Sequence, residues 1–247
     1  MICAQGRASP AWHRNKRVPM LQLSPNSRIF GPRRLLAACL VAAALSGCAS
    51  APPASLNSLP QRVEISSVPF YRGNANHSGS MALAAVLSQK GAPITPGLLD
   101  KSLGLPKAAD KLDTGIPRVA REYGMVVYPL DKRIDALLAQ VAAGYPVLVR
   151  YQEGSAWWSE TRYAVLIGYD RYKQRVLLRS GMHRRQLVSF ADFESAWAKE
   201  GRWAVLVQSP RQVPAQVDRQ RWLQAADELA RAGQEIAAKQ AVNSLGH

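Results

Sequence analysis

The stretch "VPFYRGNANHSGSMALAAVL", residues 68–87, puts a hydroxyl, Ser78, where a polar loop runs into an apolar helix. A serine hydroxyl is a poor nucleophile at neutral pH unless a base takes its proton. His77 precedes it, but adjacent residues at a helix start point apart, so no Ser–His hydrogen bond is expected. His183, in "GMHRRQ", reads as a surface residue of a hairpin turn beside Arg184 and Arg185. Asp170, in "GYD", reads as a turn residue. His77, His183 and Asp170 lack the close spacing of metal ligands, so no metal site is predicted, and no motif asks for a cofactor.

The elements that must position these residues fall into two groups. Residues 79–90 read as a helix, with Met81, Leu83, Ala84, Val86 and Leu87 apolar and Gly91 as its stop. "ITPGLLDKSLG" and "TGIPRVAREYG" read as short helices, each closed by a glycine. "MVVYPL" reads as a strand, and "DKRIDALLAQVAAG" as a helix with Asp131 as candidate cap. The second half is strand-rich: "YPVLVRYQ", "RYAVLIGYD", "QRVLLRSG", "RQLVSF" and "RWAVLVQS", with a short helix in "ADFESAW". Helices first and strands second predict an α+β domain with an antiparallel sheet. Residues 214–247 read as a helical tail, in which Trp222, Ala225, Ala226, Leu229, Ala232 and Ile236 form one stripe and Gly233 suggests a break into two helices.

Four blocks in order, "VPFY…NHSGSMALAAVL", "AAGYPVLVRY", "RYAVLIGYDRYKQRVLLRSG" and "GRWAVLVQSP", resemble peptidase family C39. These are bacteriocin-processing, double-glycine-type cysteine peptidases. The match is nearest to the lipoprotein branch of that family. The resemblance implies a papain-like fold, a helical lobe followed by an antiparallel sheet, over residues 63–210. Residues 214–247 resemble an incomplete tetratricopeptide repeat, a possible docking element for a helical partner.

In that family a glutamine five residues ahead of the nucleophile donates to the oxyanion, a cysteine at a helix start is the nucleophile, and a histidine opening a His-Tyr-Ala-Val strand is the base. A helix N-terminus and an imidazolium favour the thiolate, and the amide stabilises the developing charge. Here Gly73 stands at the glutamine position, Ser78 at the cysteine and Arg162 at the histidine. Arginine is charged at any working pH and takes no proton. The orienting carboxylate position near Leu178–Ser180 holds no acid. The apolar blocks that keep the fold survive, and the residues of the chemistry do not. Degenerate domains of this type in some secretion transporters bind substrate without cutting it. The resemblance thus implies a non-catalytic module that binds a peptide or protein through Arg162, Trp157, Trp158 and His77, with Arg179 and Arg184 adding positive charge. The alternatives are residual hydrolysis through Ser78, and a structural envelope lipoprotein that recruits a partner through its C-terminal helices.

The N-terminus reads as an address. Arg33 and Arg34 precede "LLAACLVAAALSG", an apolar run too short for a stable membrane span. It is followed at once by Cys48, which resembles a bacterial lipoprotein signal with Cys48 as the lipidated first residue. The division is then a signal over 1–47, with Met1 or Met20 as its start, and a Pro-rich tether over 48–62. Ala49 and Ser50 lack a retaining aspartate, which favours the outer membrane, facing the periplasm. Residues 1–47 hold seven Lys/Arg and no acid, so the formal +15 becomes +8 after processing. Cys3 and Cys39 leave with the signal, so the mature chain has no disulfide and no free thiol. No nucleic-acid motif accompanies the basic charge.

Overall fold

Helix α2 (Ser78–Gln89) is apolar on every side, and the rest of the domain packs around it: every residue from Ser78 to Leu87 is buried, as expected of a helix with no polar face. The computed structural model describes residues 54–154 and 157–246. Cys3, Cys39, Cys48 and the apolar run before Cys48 lie outside them. Ahead of α2 come a short helix α1 (Ala54–Asn57) and strand β1 (Arg62–Glu64). Leu56 of α1 is buried, so the stretch read as tether is already packed on the domain by Leu56.

Two helices follow against α2. Helix α3 (Pro96–Leu103) begins with a proline in its first turn and stops at Gly104, whose φ of 70° suits a residue without Cβ. Helix α4 (Leu112–Glu122) buries Leu112, Ile116, Val119 and Ala120, one stripe at helical spacing, despite Pro117 inside it. Gly79 lets α2 and α4 approach: a Cβ there would lie 2.8 Å from Leu112 Cδ1.

The chain then builds the sheet, with β2 (Val126–Pro129), helix α5 (Ile134–Ala142), β3 (Val147–Gly154), β4 (Ser159–Asp170), β5 (Arg175–Ser180), β6 (His183–Ser189), helix α6 (Phe190–Lys199) and β7 (Ala204–Gln208). The strand order is β2-β7-β3-β4-β5-β6, with β1 also on β4. Every pairing is antiparallel. Strand β4 is the axis: β3 pairs along Ser159–Leu166, β1 along Gly168–Asp170, and β5 along Val165–Asp170. This is the α+β arrangement expected from the order of elements. The position read as a cap of α5 differs. Arg133 occupies it, and Asp131 instead pairs with Arg221 at 2.8 Å.

The tail forms helices α7 (Arg219–Arg231) and α8 (Glu235–Asn243), separated at Gly233 (φ 82°). Trp222 is fully buried, its ring 6.1 Å from that of Tyr128 on β2, and its Nε1 donates to the Ala241 carbonyl at 2.8 Å. The single stripe read from the sequence ends at Leu229. Ala232 and Ile236 are exposed, Ile236 at 77%, because α8 starts a new direction and buries Ala238 and Ala241 instead. No described helix is long and apolar enough to cross a membrane.

Candidate functional site

The start of α2 meets the middle of β4. A 3₁₀ turn over Ala75–His77 leads into Ser78, whose hydroxyl donates to the Ala75 carbonyl at 2.7 Å. The same oxygen accepts the backbone N–H of Tyr163 at 3.1 Å. Ser78 is 2% exposed. Beside it is a cavity of about 10 Å³, walled by Phe70, Tyr71, Met81, Tyr163 and Arg179. That is room for about one water.

Arg162 precedes Tyr163 on β4, which sets its backbone next to the residue that Ser78 holds. The arginine side chain, 12% exposed, is held by two carboxylates, Glu153 of β3 and Glu160 of β4. Glu160 lies two residues from Arg162 and shares its face of the strand. Glu153 reaches it through the β3–β4 register, in which Tyr151 is opposite Arg162 and Glu153 opposite Glu160. The Tyr151 hydroxyl extends the cluster to Ser180 Oγ at 2.9 Å and Gln186 Oε1 at 3.1 Å. Among the described residues, no hydrogen bond or ion pair joins Arg162 to Ser78. The cation is therefore balanced and spent on its own strands.

Gly73 donates its N–H to the Gly181 carbonyl at 3.3 Å. A Cβ at Gly73 would lie 2.6 Å from the sulfur of Met81, so the thioether occupies the space a longer side chain would need. His77 turns away from Ser78, with Nδ1 3.0 Å from Asp100 Oδ2 on α3. Arg179 is buried and reaches the Ser66 carbonyl at 3.4 Å. Burial, with Arg184 nearby, lowers its affinity for a proton. Arg184 is exposed on β6, and His183 opens that strand in the open. Asp170 accepts the N–H of Lys173 at 2.9 Å and makes a turn. No group of three or more His, Cys, Asp or Glu side chains that could hold a metal ion occurs among the described residues.

The site's tyrosines stay neutral. Burial pushes the Tyr163 phenol up to about 12, against the opposing pull of Arg150. Burial also raises Tyr151, with Glu153 adding to it. Neither is a base near neutral pH. The groups missed in the sequence are Glu153, Glu160, Met81 and Asp100. Of these, Glu160 was legible as the i−2 neighbour of Arg162 on a strand.

The rim above the site is solvent-exposed. Trp157 and Trp158 lie on the β3–β4 hairpin, 96% and 65% exposed, and Met182 is exposed in the β5–β6 turn. That turn lies against the Arg162 guanidinium at Gly181, so both turns stand at one end of the sheet, above the closed site.

No family model and no curated protein matches the sequence. Solved structures are similar, among them the following three. A C39-like peptidase from Bacillus anthracis is 18% identical, with a TM-score of 0.47, covering 60% of this chain and 98% of that one. The peptidase domain of Streptococcus ComA, a bi-functional ABC transporter in a quorum-sensing pathway, is 16% identical, with a TM-score of 0.44, covering 57% and 98%. Xylellain, a cysteine protease from Xylella fastidiosa, is 10% identical, with a TM-score of 0.45, covering 63% and 88%. The likeness is one of fold: the chain is structurally similar to C39-like, papain-like peptidases over about 60% of its length.

Proposed function

We propose that this chain is a lipid-anchored, non-catalytic module with a C39 peptidase-like domain that binds an extended peptide or a protein segment. One observation carries the reading. The Ser78 hydroxyl is buried and has both its proton and a lone pair engaged by backbone groups, while the neighbouring Arg162 is locked between two carboxylates. Binding then falls to the exposed rim of Trp157, Trp158 and Met182, whose apolar surface suits side chains of an extended segment. Arg162, held by Glu153 and Glu160, supports that rim from below, and His77 lies beside Asp100 of α3. The anchor is Cys48, and the domain faces the periplasm from the outer membrane.

The test has two arms. A serine-directed fluorophosphonate should leave Ser78 unlabelled, and a peptide array should lose its retained sequences when Trp157 and Trp158 are both changed to Ala. Labelling at Ser78, with hydrolysis abolished by Ser78→Ala, would establish the hydrolase instead. Cys48→Ser should leave the signal uncleaved or free the domain from the membrane fraction. Cleavage with unchanged sedimentation would end the anchor reading.

A further inference from the structure

The end of the sheet opposite the closed site carries a concentration of positive charge where the chain reaches the domain. Arg171, in the β4–β5 turn, donates its backbone N–H to the Gln61 carbonyl at 2.9 Å and its guanidinium to the Leu59 carbonyl. The segment ahead of β1 is thus strapped to this turn. Around it, Arg62, Tyr172, Lys173 and Arg175 are exposed, Tyr172 with most of its ring in solvent. No ion pair engages Arg62, Lys173 or Arg175 among the described residues. Glu64 is taken by Arg185 in a two-pronged pair at 2.9 and 2.7 Å, which leaves Asp170 as the counter-charge. Beside these cations is a hollow of about 150 Å³, lined by Arg62, Lys173, Arg175 and Arg185, by Glu64 and Asp170, and by Leu177 and Leu187.

We propose that this end, formed by Arg62, Arg171, Tyr172, Lys173 and Arg175, docks on anionic lipid headgroups and stands the sheet upright on the membrane, with Trp157, Trp158 and Met182 at the far end. The proposal rests on the reading of Cys48 as a lipid anchor. Residues 48–53 span at most roughly 22 Å, so an anchor at Cys48 keeps this end near the bilayer. Several cations beside an exposed tyrosine match a headgroup layer, which attracts lysine and arginine and accepts amphipathic aromatic rings. Strand β4, at about 3.3 Å per residue, carries the other end some 35 Å outward, roughly the reach of twelve extended residues. The ligand-binding rim is then presented away from the lipid.

The test uses the full chain purified from membranes, with intact-mass spectrometry reading acylation of Cys48 separately. Tyr172→Cys and Met182→Cys variants are labelled with bimane and placed on vesicles of phosphatidylcholine, with or without phosphatidylglycerol, containing a nitroxide headgroup lipid. Quenching at residue 172 should exceed that at 182 several-fold, only with phosphatidylglycerol, and should fade at high salt. Changing Arg62, Lys173 and Arg175 to Gln should remove the difference, each cation weakening the contact about fivefold. If that triple variant fails to fold, Lys173→Gln alone, on an exposed turn, should reduce it. Equal quenching at both positions, stronger quenching at 182, or indifference to phosphatidylglycerol overturns the proposal. So does a patch that holds polyglutamate but not anionic vesicles, which would mark an acidic protein partner. If Cys48 proves unacylated, the anchor reading fails by itself. The chain added from solution should then still sediment with anionic and not neutral vesicles, and sedimentation with neither sinks the patch.

Discussion

The Ser78 hydroxyl oxygen is 3.1 Å from the backbone nitrogen of Tyr163, so helix α2 and strand β4 are joined through this hydroxyl. The oxygen ties the strand to the helix, and its own proton is committed to the Ala75 carbonyl.

Ser78→Ala should therefore cost stability rather than activity. It leaves the buried Tyr163 N–H without an acceptor, worth about 1–3 kcal/mol. Urea denaturation should show a lower midpoint with an unchanged slope. Peptide retention should persist. An unchanged midpoint together with a lost hydrolytic activity would give Ser78 the catalytic role.

Rebuilding the peptidase should need several changes, and their order is informative. Ser78→Cys alone should not react with a peptide-based cysteine trap, because Arg162 takes no proton. Adding Arg162→His supplies an imidazole whose protonated form favours the thiolate, while Glu153 and Glu160 compete for it. Labelling should thus appear but stay weak. Adding Gly73→Gln should strengthen it by returning an oxyanion donor, an element worth about 3 kcal/mol, once the flexible end of Met81 swings aside. Mass spectrometry of residue 78 reads each step. A folded triple variant that never labels would remove Arg162 from the base position.

Lys90 gives the domain a pH signature. Its ammonium donates to Gln208 Oε1 at 2.6 Å and Gln212 Oε1 at 3.0 Å and lies 5.4 Å from the Tyr145 ring centre. Burial without a carboxylate lowers its pKa from 10.5 to about 8. The unfolded chain thus holds this proton more tightly than the folded one. Lys90 penalises folding below pH 8, and the penalty is relieved as pH rises from about 8 towards 10.5. Stability relative to Lys90→Met should climb across that window. Guanidinium midpoints at several pH values check it, and a flat or falling difference would refute it.

Removing the tail should unfold part of the domain, not merely detach a docking element. Trp222 is buried against Tyr128, whose hydroxyl accepts the Asp218 N–H at 3.0 Å, and Arg121 of α4 pairs with Glu228 of α7. Trp222→Ala should cost about 3–5 kcal/mol, and truncation at Pro214 should lower the thermal midpoint. A truncated domain as stable as the whole would mean that the tail is an independent appendage.

The elements and their order were legible in the residue pattern. An all-apolar helix has to be buried, so Met81 to Leu87 placed α2 in the core, and helices followed by Val-, Leu- and Tyr-rich runs required an antiparallel sheet. Gly73, Ser78 and Arg162 were likewise legible as positions without a side-chain amide, a thiol or a base. What surrounds them followed from the folded chain alone. Arg162 is neutralised because the β3–β4 register brings Glu153 to it, and register is a property of paired strands that no local pattern encodes. Ser78 is sealed because Phe70 and Tyr71 of the preceding loop, Tyr163 of β4 and Arg179 of β5 meet around it. Ile236 left the apolar stripe because the turn at Gly233 resets helical phase, so a periodicity counted across the break had no single face to describe. The same long-range pairing strapped residues 59–61 to Arg171 and so gathered Arg62, Lys173 and Arg175, distant in sequence, at one end of the sheet.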